Sequence, residues 1–215
     1  MGERTAESPG RVRPAASVDS PGLILVSGGG KAFRFDPGAL CMELVATGGP
    51  GEFARFEALH TPADLVTWAG RSRLPNGLEL AVTEGELAQA RELRDTLFLL
   101  AADRAHGRPL QPSHLDAVNA AAVEPPLAPR IAPDGTHAWA QGATGTHLLS
   151  TVARDAIDLF TGLYADRVRE CGSRTCCLLF VDTSRPGRRR WCAMEHCGNR
   201  AKARAFRSRQ PTEES

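Results

Sequence analysis

The sequence predicts an α+β protein in which a mainly helical domain, residues 21–163, is followed by a small module, residues 166–209, made of a β-hairpin and one helix. Three observations support this division. Apolar residues recur at helical spacing through most of the first segment. Five of the six cysteines lie in the second segment. That segment also carries twelve basic and four acidic side chains, a local charge of +8, whereas the rest of the chain carries fourteen and twenty-one, a charge of −7. We call residues 166–209 the cysteine module.

The two ends of the chain, residues 1–20 and 210–215, are expected to be a disordered leader and a disordered tail. The leader is rich in Pro, Ser, Gly and charge, and it lacks the apolar stretch of a secretory signal. No apolar run in the sequence approaches the roughly 18 residues that span a bilayer. We therefore expect a cytoplasmic protein that does not enter a membrane. In a reducing compartment, a tight group of cysteines indicates metal binding or catalysis rather than disulfide bonds.

The helical domain begins with a glycine-rich stretch. Residues 21–35 are expected to hold a short strand. Within them, the GGGK of residues 28–31 lacks the upstream glycine and the following Ser or Thr of a phosphate-binding loop, so we interpret it as a connector. Asp36 and Pro37 have the residue types of a helix N-cap and first position. We expect the first helix to begin there.

Further helix starts and stops divide the rest of this domain. The TPAD of residues 61–64 starts a second helix, and the capping box TEGE of residues 83–86 starts the longest one, which we expect to end at Gly107. Each helix presents one apolar face, which is typical of packing against a core. The remaining predicted elements are a helix over residues 112–122, a hairpin over 130–139 and an amphipathic helix over 148–160 that ends near Gly162.

Four cysteines are spaced as Cys171-x4-Cys176-x15-Cys192-x4-Cys197. Two close pairs of thiolates are the ligand set of one tetrahedral Zn²⁺. Free core cysteines or a redox pair are the alternatives, but neither explains two equal spacings in so polar a segment. Cys177 and His196 are spare donors next to ligands. We assign Cys176 as the ligand because it keeps both spacings equal.

The residues between and after these cysteines predict how the pairs meet. Residues 179–183 form an expected strand, residues 184–187 a turn, and residues 188–191 a returning strand that leads to Cys192. Residues 199–209 are helical in pattern, and the expected inward side chains are Ala201, Ala205 and Phe206. A hairpin followed by a helix that carries the last ligand predicts a treble-clef-like finger. So short a segment has few core residues, and a metal would supply the missing stability.

The motif CAMEHCGNRAK at residues 192–202 is similar to the CGNR zinc finger, as are FVDTSR at 180–185 and RRWC at 189–192. Residues 33–160, including FDPGALCMELVAT at 35–47, resemble the ABATE domain that accompanies this finger. The two resemblances together imply a stress-responsive regulator of transcription.

The basic residues of the module predict DNA binding, the more so because the rest of the chain is acidic. One or two arginines in such a patch can read guanine edges while the others hold phosphates. RNA binding is an alternative, as is a solvated face that offsets the doubly negative zinc–thiolate centre. A finger that only recruits a protein partner is the main alternative function. The candidate DNA contacts are Arg188, Arg189 and Arg190 on the predicted strand, and Arg200, Lys202, Arg204 and Arg207 on the predicted helix.

Catalysis is not expected. Four thiolate ligands leave no open metal position for water, and the sequence contains neither G-x-S-x-G nor H-E-x-x-H. The helical domain carries no DNA-binding motif, so we expect it to form a homodimer or to sense a signal. Closed dimers are the commonest oligomers, and two-fold symmetry doubles the contact with DNA.

Overall fold

The computed structural model describes residues 22–27 and 30–208. The expected leader and tail, and the first two glycines of the GGGK segment, lie outside the described residues. Within the described part of the chain there are six α-helices and four two-stranded sheets, so the expected α+β class with a mainly helical first part is confirmed. No helix in residues 22–27 and 30–208 combines the length and apolar character needed to cross a membrane.

The elements follow one another in short segments. The α-helices are α1 Leu40–Val45, α2 Pro62–Arg71, α3 Glu84–Ala105, α4 Pro112–Val123, α5 Gly145–Thr161 and α6 Asn199–Arg207. The strands are β1 Leu23–Val26, β2 Ala32–Phe35, β3 Leu80–Ala81, β4 Pro129–Ile131, β5 His137–Trp139, β6 Ala143–Thr144, β7 Val168–Glu170 and β8 Leu179–Val181. Pairs β1–β2, β4–β5 and β7–β8 are antiparallel, and β3–β6 is parallel. Shorter turns are the 3-10 helices Gly51–Phe56 and Ala165–Arg167 and the π-helical turn Met194–Gly198.

The main core lies between α1, α3, α4 and α5, with α3 as the central helix. The predicted capping box at the start of α3 is confirmed: Thr83 Oγ1 accepts a hydrogen bond from the Glu86 backbone N–H, and the Glu86 carboxylate accepts one from the Thr83 N–H. The same carboxylate also accepts from the backbone N–H of Thr146 in the first turn of α5, at 2.9 Å. One side chain thus fixes the starts of two core helices.

The first helix begins later than predicted. The Asp36 carboxylate accepts from the Gly38 N–H at 2.9 Å, which makes a tight turn and leaves the helix to start at Leu40. The expected N-cap at Asp36 is therefore wrong. The cap comes from far along the chain, because the Asp155 carboxylate of α5 accepts from the Cys41 N–H at 2.8 Å.

The region before α1 holds two strands where the sequence predicted one. Leu23 pairs with Phe35 and Leu25 with Phe33, so these four apolar side chains lie on the same face of the β1–β2 hairpin. That face does not join the main core. It packs against the cysteine module, so the two parts of the chain share a boundary on which the metal centre lies.

The hairpin of the cysteine module also differs from the prediction. Strand β8 pairs with β7, which precedes the first cysteine, and residues 188–190 form no strand. The expected returning strand is wrong because the backbone N–H of Arg189 donates to the Asp182 carboxylate at 2.8 Å. The predicted turn before it is confirmed: the Gly187 N–H donates to the Ser184 carbonyl, and Gly187 has a φ of 63°, a value that favours glycine.

Candidate metal centre

Three separate segments bring four of the module's five cysteines together. Cys171 follows β7 directly, and Cys176 lies in the loop toward β8. Cys192 ends the loop that carries residues 188–190, and Cys197 lies in the π-helical turn before α6. Their Sγ atoms all lie within 4.8 Å of one another. Three of the cysteines are buried and Cys176 is half-buried. The structure therefore places the predicted ligands around one point.

The spacing of the sulfur atoms fits a single tetrahedral ion. A Zn–S bond of about 2.3 Å puts the corners of a tetrahedron about 3.8 Å apart. The Sγ atoms of Cys176 and Cys192 are 3.8 Å apart. A disulfide would need about 2.05 Å, so this separation corresponds to two ligands of one ion.

The protonation of the cluster gives a second reason for a cation. Hydrogen bonds from Cys176 and then Cys192 lower the pKa of the Cys171 thiol to about 2. The hydrogen bond to Cys171 raises the pKa of Cys176 to about 12 and raises that of Cys192 as well. These three crowded sulfurs cannot all ionise without a compensating charge, and a divalent ion supplies it.

Backbone hydrogen bonds hold the ligand segments in register. The Cys192 N–H donates to the Cys171 Sγ at 3.4 Å, and the Cys171 N–H donates to the Leu178 carbonyl at 2.9 Å. The Gly172 N–H donates to the Arg190 carbonyl at 2.9 Å. These bonds join the loop that carries the first pair of cysteines to the segment that carries the second pair, so metal binding and loop conformation depend on each other.

Arg189 acts as a clamp between the metal centre and the helical domain. Its guanidinium lies 4.2 Å from the centre of the Phe180 ring. It donates to the Asp36 carbonyl at 2.9 Å, to the Trp191 carbonyl at 3.0 Å and to the Cys192 carbonyl. Every nitrogen of this guanidinium has a protein acceptor. Arg189 was predicted as a DNA contact; in the structure its side chain is half-buried and its guanidinium is engaged by these carbonyls.

The β1–β2 hairpin covers one side of the centre. Phe33 and Phe35 pack with the buried cysteines and Phe180, and the Phe33 ring stacks on His196 with centroids 4.1 Å apart and planes 5° apart. The backbone N–H of Arg34 donates to the Glu195 carboxylate at 2.8 Å. This cover by the hairpin was not predicted from the sequence. The available signal was the alternation Leu23-x-Leu25 and Phe33-x-Phe35, which is typical of two half-buried strands.

Neither spare donor joins the four-sulfur group. Cys177 is half-buried, and burial raises the pKa of its thiol. His196 is committed to its stack on Phe33, where burial, followed by the charge of Arg200, lowers its pKa. Both are therefore neighbours of the centre in this structure.

The other predicted basic contacts are exposed. Arg188 and Arg190 are exposed in the loop, with Arg190 lying over the Trp191 ring at 5.3 Å. The expected inward packing of Ala205 and Phe206 is wrong: both are exposed, and the Phe206 side chain is 66% accessible. Helix α6 has its main contacts with the π-helical turn alone, so most of its surface faces solvent. Its exposed basic residues are Arg200, Lys202, Arg204 and Arg207.

Two protein-family models match the chain, in agreement with the resemblance in sequence. The ABATE model, described as "Putative stress-induced transcription regulator", matches residues 38–163, which is more than half of the chain. The CGNR zinc finger model matches residues 167–210. A search of curated proteins found no match.

Proposed function

Because the chain belongs to the ABATE family and its second part is a CGNR zinc finger, we propose that this regulatory metal-binding protein holds one Zn²⁺ and controls transcription by binding duplex DNA. Zinc is proposed because the four ligands are thiolates with tetrahedral spacing, which suits a borderline-soft ion without a geometric preference. With all four positions filled by protein, the ion is structural, and we propose no catalytic role for it.

The observation that carries DNA binding is the surface of α6. Four basic side chains lie along nine residues, all of them exposed, and the helix contains no acidic residue. Arg200, Arg204 and Arg207 share one face by their spacing. Within the described part of the chain, none of these three has a carboxylate at ion-pair distance. Unpaired guanidinium groups along one helix face are available to contact phosphates, and such contacts release the counterions of the DNA.

The loop before Cys192 extends this surface. Arg188 and Arg190 are exposed on either side of the clamped Arg189. We propose that Arg188 and Arg190 contact DNA together with α6, and that Arg189 positions the loop from within. Arg190 is pre-oriented by its contact with the Trp191 ring, which lowers the entropy lost when it meets a phosphate.

We further propose that the full chain binds as a homodimer. A single finger offers few side chains to base edges, and discrimination builds up at about 1–3 kcal/mol per base contact. Two copies related by symmetry double the number of contacts. Light scattering on the full chain tests this: a mass of two chains is expected, and a monomer that binds DNA with full selectivity contradicts it.

The test of DNA binding is fluorescence anisotropy with labelled duplexes selected from genomic fragments by the purified protein. We expect affinity to fall with salt by about 0.9 log units per phosphate contact for each tenfold rise in salt. The variant R200A/R204A/R207A should bind more weakly, show a shallower salt slope and keep its metal. A charge-matched control, R55A/R108A/R130A, changes three exposed arginines outside the module and should bind like the wild type.

One observation favours a second function, the recruitment of a protein partner. Phe206 is 66% exposed and Met194 is 51% exposed, next to the basic face. Apolar side chains of this size at a surface are typical of protein contacts. Unchanged DNA affinity in a folded R200A/R204A/R207A variant would favour this alternative, and a Phe206→Ser variant that binds DNA normally but loses transcriptional effect would support it.

A further inference from the structure

A large cleft lies between the β1–β2 hairpin and helix α2, with the core residues Leu59 and Trp68 in its lining. It has a volume of about 1180 Å³ and is bounded by β1, by Arg34 of β2, by the last turn of α2 and by the loop of residues 72–76. Small-molecule sites have volumes of roughly 300–1,000 Å³. The cleft is therefore large enough for an organic ligand of ordinary size.

The charged side chains of the cleft are mostly cationic. Arg34, Arg71 and Arg73 line it, against one carboxylate, that of Asp64. Asp64 is already committed, because it accepts from the backbone N–H groups of Thr61 and His60 at the start of α2. Among the residues that the structure describes, 22–27 and 30–208, no carboxylate lies at ion-pair distance from Arg34 or Arg71.

Arg73 is held in a fixed position at the cleft. Its Nε donates to the buried Glu43 carboxylate at 3.0 Å, and its Nη2 donates to the Asp36 carboxylate at 2.9 Å. Among the described residues, its Nη1 has no hydrogen-bond acceptor. A donor fixed by two ion pairs loses little freedom when a ligand arrives.

Apolar side chains form part of the remaining lining, beside the uncharged polar residues Thr47, Thr67, Ser72 and Asn76. Ile24 of β1 is 66% exposed, and Leu74 and Pro75 lie in the opposite loop. Apolar walls with a few convergent cationic donors are complementary to an amphipathic anion. We propose that this cleft binds a small organic anion with an apolar body, and that its occupancy alters the metal centre through β2.

Strand β2 provides a direct connection. Phe33 and Phe35 pack on the metal centre, and Arg34 between them points away from it, as alternation along a strand requires. Arg34 lines the cleft and also a second groove, of about 870 Å³, that Arg188 and Arg190 border. An anion in the cleft draws the Arg34 guanidinium toward itself and away from that groove. The cleft and the second groove therefore compete for the Arg34 guanidinium. The ligand makes different contacts depending on which of the two this side chain faces.

The experiment uses the zinc-loaded full chain and the fluorescent anion 8-anilinonaphthalene-1-sulfonate as the probe. We expect saturable binding at one site. Gly70→Trp should weaken binding at least tenfold, because Gly70 lines the cleft in a helical conformation, with open space where its Cβ would lie. R34A/R71A should weaken it at least about tenfold through the loss of two charge-assisted contacts. The control Arg130→Ala, an exposed site elsewhere in the helical domain, should bind the probe normally.

Two further measurements test separately the role of the probe's negative charge and the coupling between the cleft and the metal centre. The uncharged analogue N-phenyl-1-naphthylamine should bind at least tenfold more weakly than the anion. Saturating anion should change the rate of zinc transfer to a chelator at least twofold in the wild type and not in Gly70→Trp. Circular dichroism shows that each variant is folded.

Full probe affinity in folded Gly70→Trp, or equal affinity for the neutral analogue, overturns the site. Unchanged zinc transfer overturns the coupling. No DNA is present in these assays, so their outcome is independent of the proposed DNA binding.

Discussion

The helical domain and the cysteine module fill their interiors in different ways. The helical domain buries a continuous apolar core drawn from α1 to α5, with Leu97, Leu100 and Leu148 almost fully inaccessible. The cluster around the cysteines is small, and two of its buried aromatic side chains, Phe33 and Phe35, come from β2. The first region is stabilised mainly by its own apolar surface, to which β7 and β8 of the module add Val168, Leu179 and Val181. The second depends on a metal and on side chains from another part of the chain.

This difference shows that the residues matched by a family model and the residues that pack together need not be the same. The CGNR match begins at residue 167, yet the apolar cover of the metal centre lies before α1. Removal of the N-terminal segment would therefore expose the metal centre even though the finger sequence is intact. The predictions below test the two interiors separately.

The largest effect is expected from loss of the metal. Replacement of Cys171, Cys176, Cys192 or Cys197 by Ser should release the ion and unfold the cysteine module, because structural zinc contributes about 10–16 kcal/mol in small fingers. The helical domain should keep most of its circular dichroism signal. Metal analysis of the purified variants measures the loss.

Cys177→Ser is the control and should keep one ion per chain. If Cys177→Ser instead loses its metal while Cys176→Ser keeps it, Cys177 is the ligand and Cys176 is not.

The next largest effects are expected from one core substitution at the metal centre and one in the helical domain. Phe35→Ala removes a fully buried ring at the metal centre and should cost about 3–5 kcal/mol of unfolding free energy while speeding zinc transfer to a chelator. Leu97→Ala in α3 should cost about 2–5 kcal/mol and leave zinc transfer unchanged. Urea unfolding and chelator kinetics measure the two quantities. Equal zinc-transfer rates in both variants would mean that the hairpin does not support the centre.

The clamp should give a smaller effect. Arg189→Ala removes three hydrogen bonds from a charged donor to backbone carbonyls, and we expect a loss of about 2–3 kcal/mol in unfolding free energy. Arg188→Ala, at the exposed neighbour, should cost less than about 0.5 kcal/mol. Arg189→Lys should not restore stability, since an ammonium group cannot reproduce the planar fork. Urea midpoints compare the three variants.

The smallest effect concerns pH and the helical domain alone. Partial burial opposes ionisation of Glu86, but backbone hydrogen bonds from Thr83 and Thr146 dominate and lower its pKa from 4.5 to about 2. The unfolded chain therefore takes up the proton first, so this carboxylate stabilises the fold above pH 4.5 and the contribution fades as pH falls toward 2. Glu86→Gln should cost about 1 kcal/mol at pH 7, allowing for solvent screening. By pH 3 the difference from the wild type should be about half as large; a constant difference in urea midpoints would contradict this.

The sequence predicted the helical domain well because its signals are local. The capping boxes at Thr61 and Thr83, and the stop at Gly107, act within four residues of each helix end. The four-cysteine pattern is likewise local, since each pair is closed by a short loop. The contacts that the sequence did not predict are long-range: Arg34 with Glu195, Arg189 with Asp36, and Asp155 with Cys41. Strand pairing in the module failed for a local reason instead, because the Asp182 side chain takes the Arg189 N–H that a strand partner would need.

The closure of the metal centre by β2 also has a consequence for biosynthesis. Arg34 and its partner Glu195 are 161 residues apart in the chain. At roughly 5–20 residues per second, a ribosome takes on the order of 10–30 s to add that length. During this interval the hairpin has emerged without the surface that it will cover, and the helical domain has time to fold first. A nascent chain that stops early can complete its helices but cannot seal the ion, so stable metal retention marks a chain that has been translated through the last ligand.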